Sequence, residues 1–106
     1  MPRMQNLLEE TTNVIIENGL NTSDIIYIGD GEFSCTWDEF QTIANIEYDS
    51  GYGGAEINEH LMIVFNNGVE MHRGEYDGSE WWDVHVPFKL ENLKEQKKLT
   101  GVKSGW

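Results

Sequence analysis

The side chains best suited to chemistry fall in one decapeptide, Arg73-Gly74-Glu75-Tyr76-Asp77-Gly78-Ser79-Glu80-Trp81-Trp82. It sets Glu75, Asp77 and Glu80 beside one guanidinium and two adjoining indoles. Carboxylates interleaved with aromatic surface suit recognition, because a binding hot spot needs a desolvated aromatic centre ringed by polar groups. The same residues also make a hairpin connection, with Asp77 bonding its own backbone. Neighbours on a strand point to opposite faces, so Trp81 and Trp82 cannot both enter one core. Trp82 is expected inside, and Trp81 on a second apolar surface.

A second segment, Tyr48-Asp49-Ser50-Gly51-Tyr52-Gly53-Gly54-Ala55-Glu56, is rich in glycine and flanked by acids. Glycine loops can cradle phosphate through backbone amides. No Gly-Lys-Ser or Gly-Lys-Thr follows here, and Asp49 and Glu56 would repel an anion. Their oxygens suit a hard cation better, but the spacing is not that of an EF-hand loop. Gly51, Gly53 and Gly54 are therefore read as shaping a loop. His60, His72 and His85 do not fall at zinc-ligand spacing, and Cys35 has no second thiol. No metal, no cofactor and no catalytic residue is expected.

Met4–Asn18 has a helical apolar stripe of Met4, Leu7, Leu8, Thr11, Val14 and Ile15, with Glu9, Glu10, Glu17 and Asn18 mostly on the other side; Gly19 suits its stop. Ile25–Ile28 reads as a strand, Asp30-Gly31 as a hairpin turn and Glu32–Cys35 as the return. Thr36-Trp37-Asp38-Glu39 fits a capping box, opening a helix to about Asn45 with Trp37, Phe40, Ile43 and Ala44 buried. Ile46–Glu56 is read as irregular. A three-stranded meander follows: His60–Phe65, Val69–Arg73 and Trp81–Val86, turning at Asn67-Gly68 and Asp77-Gly78. Two-residue turns set Val64 opposite Met71, Met71 opposite Val84, and Arg73 opposite both Met62 and Trp82. Met62, Val64, Met71, Val84 and Trp82 would face the core; Leu61, Ile63, Phe65, Glu70, His72, Trp81, Asp83 and His85 would face away. Leu90–Leu99 suits a short helix. The reading is one α+β domain over 1–88, an antiparallel sheet of four to five strands with two helices packed on one face, and a basic tail over 89–106, partly helical or disordered.

Charge sharpens the picture. Nineteen acids against seven bases give −12 over 106 residues. Thirteen acids and no lysine or arginine fall between Met4 and His72, while Lys89, Lys94, Lys97, Lys98 and Lys103 crowd the tail. Such a body repels nucleic acid and anionic membrane and attracts basic protein surfaces. No apolar run spans a bilayer, and Arg3 precedes no signal-like segment. A single cysteine fits a reducing cytosol. Arg73, the one base between Met4 and Phe88, is expected to pair with Asp49 or Glu75 and stack on Trp82.

The loop at Tyr48–Ile57, the strand at Leu61–Phe65, the Trp37-to-Phe40 helix and the Glu75–Trp82 motif before Pro87 together resemble a family of small, largely uncharacterised bacteriophage and prophage proteins, over roughly residues 25–88. The resemblance implies a phage protein acting in the host cytoplasm and brings no activity with it.

Two functions follow as expectations. In the first, a phage-encoded interaction protein binds a basic surface of a host defence or nucleic-acid-handling complex, without touching nucleic acid or membrane itself. Asp49, Tyr52, Glu56, Glu75, Tyr76, Asp77, Glu80 and Trp81 would form the interface. Gly51, Gly53, Gly54, Arg73, Gly78 and Trp82 would hold it, and a homodimer is left open. In the second, Asp49, Glu56, Glu75, Asp77 and Glu80 serve a small-ligand or divalent-metal module without catalysis.

Overall fold

A computed structural model describes residues 4–49, 56–87 and 93–103. Strand β1 (Met4–Asn6) leads into helix α1 (Leu7–Glu17); a 3-10 turn at Thr22–Asp24 precedes β2 (Ile25–Gly29) and β3 (Ser34–Cys35). Helix α2 (Trp37–Ile43), β4 (Glu47–Asp49), β5 (Met62–Phe65), β6 (Glu70–Tyr76) and β7 (Ser79–His85) complete the order. The fold is α+β. A five-stranded antiparallel sheet runs β3-β2-β5-β6-β7, and β1 and β4 make a separate pair.

The expected first helix begins three residues late. Met4–Asn6 pairs with Glu47–Asp49 instead, which also gives regular structure to a stretch read as irregular. Asn6 caps α1, its side-chain oxygen accepting from Glu9 N. Two further N–H groups of the first turn, on Leu7 and Leu8, donate to Ile46 and Ala44 carbonyls. The start of α1 is thereby tied to the end of α2. At its other end, Leu20 N bonds Ile15 O and Gly19 N bonds Ile16 O, the Schellman arrangement. Helix α2 starts at the capping box, with Thr36 and Glu39 bonding each other's backbone. The Thr36 N–H on the Glu39 carboxylate lowers that group's pKa below the ordinary value.

The core face of the sheet carries Ile28, Ile63, Met71 and Trp82, joined by Phe65 and Val69. Leu7, Thr11 and Ile15 of α1, Phe40 of α2 and Ala44 at its end cover it. Met4 and Ile43, expected inside, are more than half exposed.

The β6–β7 register is as read, with Met71 opposite Val84 and Arg73 opposite Trp82. Asp77 and Gly78 both take positive φ, as a type I′ turn requires. The β5–β6 register is not. Phe65 N bonds Val69 O, so the loop has three residues, Asn66-Asn67-Gly68, with Gly68 at φ +90. That third residue moves Met71 from Val64 to Ile63 and puts His72, not Arg73, opposite Met62. A slip of one residue exchanges faces. Ile63 and Phe65 are therefore in the core, and Met62 and Val64 lie on the outer face with His72, Trp81, Asp83 and His85.

The return strand after β2 is shorter than expected, because Asp30–Phe33 forms a loop in which the Asp30 carboxylate accepts from Glu32 N and Phe33 N. Residues 93–99 carry no regular element, so the expected helix there is absent from them. Leu93 and Leu99 are exposed, and a short helix with no packed face is marginal in water.

Candidate functional site

Strand alternation sorts the decapeptide into two sites. Arg73, Glu80 and Trp82 point into the core, while Gly74, Tyr76 and Trp81 lie on the outer face.

Inside, the Arg73 side chain is 2% exposed. Its guanidinium lies over the Trp82 ring at 4.9 Å and near the Tyr48 ring at 5.6 Å. The expected partners Asp49 and Glu75 are not its ion pairs. Arg73 Nη1 meets Glu10 Oε2 at 3.2 Å, and Nη2 lies 3.7 Å from Glu80 Oε1. Both carboxylates are also buried, Glu80 as fully as the guanidinium and Glu10 at 7% exposed, so each charge is held by desolvated neighbours. The Tyr48 hydroxyl completes the cluster, donating to Glu10 Oε1 at 2.5 Å and accepting from Arg73 Nη2 at 3.0 Å. Burial, and then the hydrogen bond to Glu10, push the Tyr48 pKa up to about 12. Arg73 Nε is buried with no acceptor among the described residues.

Glu80 is accordingly not an interface residue. Its two oxygens accept from Glu56 N at 2.7 Å and Ile57 N at 3.1 Å, and its side chain is 2% exposed. Glu56 in turn accepts from Asp49 N at 2.9 Å, closing the base of the glycine-rich segment. The two motifs thus meet through buried charge. Tyr52, Gly51, Gly53 and Gly54 lie outside the described residues. Trp82 Nε1 donates to the buried Thr11 hydroxyl, which donates to Leu7 O, so α1 is pinned to the sheet at the same place.

Glu10 was not singled out from the sequence, which set it on the polar side of α1. The signal was there: Leu7, Glu10, Thr11 and Val14 are spaced i, i+3, i+4 and i+7, which places the acid on the buried stripe.

Outside, Tyr76 is 77% exposed at the hairpin tip and Trp81 is 37% exposed. The indole sits over Gly74: a Cβ there would lie 2.5 Å from Trp81 Nε1 and 2.7 Å from Asp83 Oδ2. Trp81 Nε1 donates to Asp83 Oδ1, which fixes the ring. Glu75 accepts from Gly78 N and braces the turn, leaving Asp77 exposed at the tip. Lower on this face His72 bonds Glu70 at 2.8 Å and meets His85 edge to face at 5.0 Å. Among the described residues no three His, Cys, Asp or Glu side chains are placed to hold a metal ion, and no helix is long and apolar enough to cross a membrane. Comparisons with protein-family models, with curated proteins and with solved structures find no match for this chain.

Proposed function

We propose that the protein is a small acidic interaction protein without catalysis, which binds a basic surface on a partner protein or nucleoprotein complex through the outer face of the β6–β7 hairpin. The observation that carries this is the fixed indole of Trp81, seated on Gly74 and held by Asp83, beside the exposed Tyr76 ring. An indole fixed in advance loses little freedom on binding, and aromatic anchors dominate interface energetics. Around it the field is negative, because Arg73, the one base between Met4 and Phe88, is buried and paired. Long-range attraction would speed encounter with a cationic surface, and the aromatic centre would set residence time. The motif resemblance supplies the setting, a phage protein acting on a host defence or nucleic-acid-handling complex in the cytoplasm.

The test is capture of host proteins at low and moderate salt by the parent, by Asp77→Lys and by Trp81→Ala. The charge reversal should slow association, with the effect fading as salt screens it. Trp81→Ala should shorten residence at any salt. A partner whose binding is indifferent to ionic strength would overturn the electrostatic part, and one indifferent to Trp81 would move the site elsewhere.

A further inference from the structure

A second surface lies away from the hairpin patch. Between the β2–β3 loop, α2 and the segment at 56–61 runs an open cleft of about 360 Å³. Its walls are apolar: Phe33, Phe40, Ile43, Ile46, Ile57 and Leu61. Three of these are exposed to a degree unusual for their size, Phe33 at 71%, Ile43 at 62% and Ile46 at 48%. Contiguous apolar surface of this kind marks an interaction site. Its polar margin is acidic, from Asp30 and Glu56, with Glu32 and Glu47 next in sequence to wall residues. Hydrogen bonds from Phe33 N and then Glu32 N lower the pKa of the Asp30 carboxyl below the ordinary value.

The complement to that cleft is in the same chain. Residues 93–103 hold four lysines against the single Glu95, interleaved with Leu93, Leu99 and Val102. These three apolar side chains are 44%, 77% and 91% exposed. The segment has no regular element of its own. All its residues but Gly101 are exposed, and the radius of gyration of the chain is 17.3 Å, against about 13 Å for a compact chain of this length. The chain also leaves the sheet at the end opposite its own cleft. Pro87 packs beside Gly68 at the β5–β6 turn, whereas the cleft opens beyond Gly29 and Met62, where β2 ends and β5 begins.

We infer that the cleft is a docking site for the lysine-rich segment 93–103 of a second copy of this chain. Leu99 and Val102 would fill the apolar floor and the lysines would face the acidic margin, the arrangement of an apolar centre with a charged rim. The contact is small, so association in the range of about 10–100 μM is expected. The inference does not depend on the hairpin reading, because it uses neither Trp81 nor Tyr76.

Cys35 gives the readout. It lines the cleft, is half-buried, and is the one cysteine in the chain. Its rate of alkylation by a maleimide would be followed on the full chain as protein concentration rises, alongside sedimentation velocity. Alkylation should slow about fivefold or more between the dilute and concentrated limits, as dimer appears. A tail variant (Leu99→Ser with Val102→Ser) and a cleft variant (Phe33→Ser with Ile43→Ser) should each abolish both effects. All four positions are exposed, so the fold should survive. Mixing the two variants should restore association, since the tail of one then meets the cleft of the other. Protection independent of concentration would put each tail in its own cleft and overturn the inference, as would equal reactivity at every concentration, or a dimer that both variants retain.

Discussion

The two faces of the β6–β7 hairpin invite comparison, because a single run of sequence builds both. On the inner face Arg73, Glu80 and Trp82 are sealed among Glu10, Tyr48 and Thr11, which come from distant parts of the chain. On the outer face Trp81 is held by Gly74 and Asp83 of its own hairpin, and Tyr76 is 77% exposed. The difference shows that a charged, aromatic motif need not be one site. Its inner half is scaffold whose loss should cost stability, and its outer half is surface whose loss should cost chiefly binding.

The comparison breaks most sharply at Arg73. Replacing it with alanine leaves Glu10 and Glu80 buried without their counter-charge, a loss of about 3–5 kcal/mol. For a domain this size that lowers the melting temperature by about 15 °C or more. A variant melting within a degree or so of the parent would show the cluster to be solvated. Thr11→Val is the next test. It keeps the shape but strands the indole N–H of Trp82, at about 1–3 kcal/mol, measurable in urea unfolding. Gly74→Ala acts on the outer face alone. The new methyl would occupy the place of the Trp81 indole, which must swing into solvent. Stability should fall by about 1 kcal/mol, while tryptophan fluorescence shifts to the red and partner residence shortens as in Trp81→Ala.

The smallest effect is one of pH. The Tyr48 pKa is raised to about 12 by burial and then by its bond to Glu10, against an ordinary value of 10.0. The folded protein therefore keeps a proton that the unfolded chain gives up. This contribution to stability is fully present below pH 10 and is lost as pH rises toward 12. In an absorbance titration one of the four tyrosines should ionise late, and Tyr48→Phe should remove that step.

How much of this the sequence showed depends on how local each determinant is. The capping box at Thr36, the stop at Gly19 and the turn at Asp77-Gly78 rest on residues within one turn of each other, and all three were legible. The β5–β6 register was not. Asn67-Gly68 signals a turn but not whether Asn66 belongs to it, and that one residue decides whether Ile63 and Phe65 or Met62 and Val64 are buried. The stacking of Arg73 on Trp82 followed from the second hairpin and was read correctly. Neighbouring acids in the motifs suggest themselves as its partners, whereas Glu10 comes from a helix packed across the sheet, 63 positions away. Glu80 was misplaced for a different reason. As an acid beside an exposed indole it resembles rim, and only the direction of its side chain shows that it holds the backbone of Glu56 and Ile57.

Strand β7 ends the sheet, and seven residues of its outer backbone edge meet no further strand among the described residues. Such an edge is a template for another chain. Mutual repulsion between bodies carrying −12 opposes stacking along it. That protection is colloidal and so depends on the solvent. Near pH 4.4, about the isoelectric point that the composition sets, this repulsion fades and the edges can approach. Acid handling, isoelectric precipitation included, is therefore the condition under which this protein should pass from solution into sheet-like aggregates.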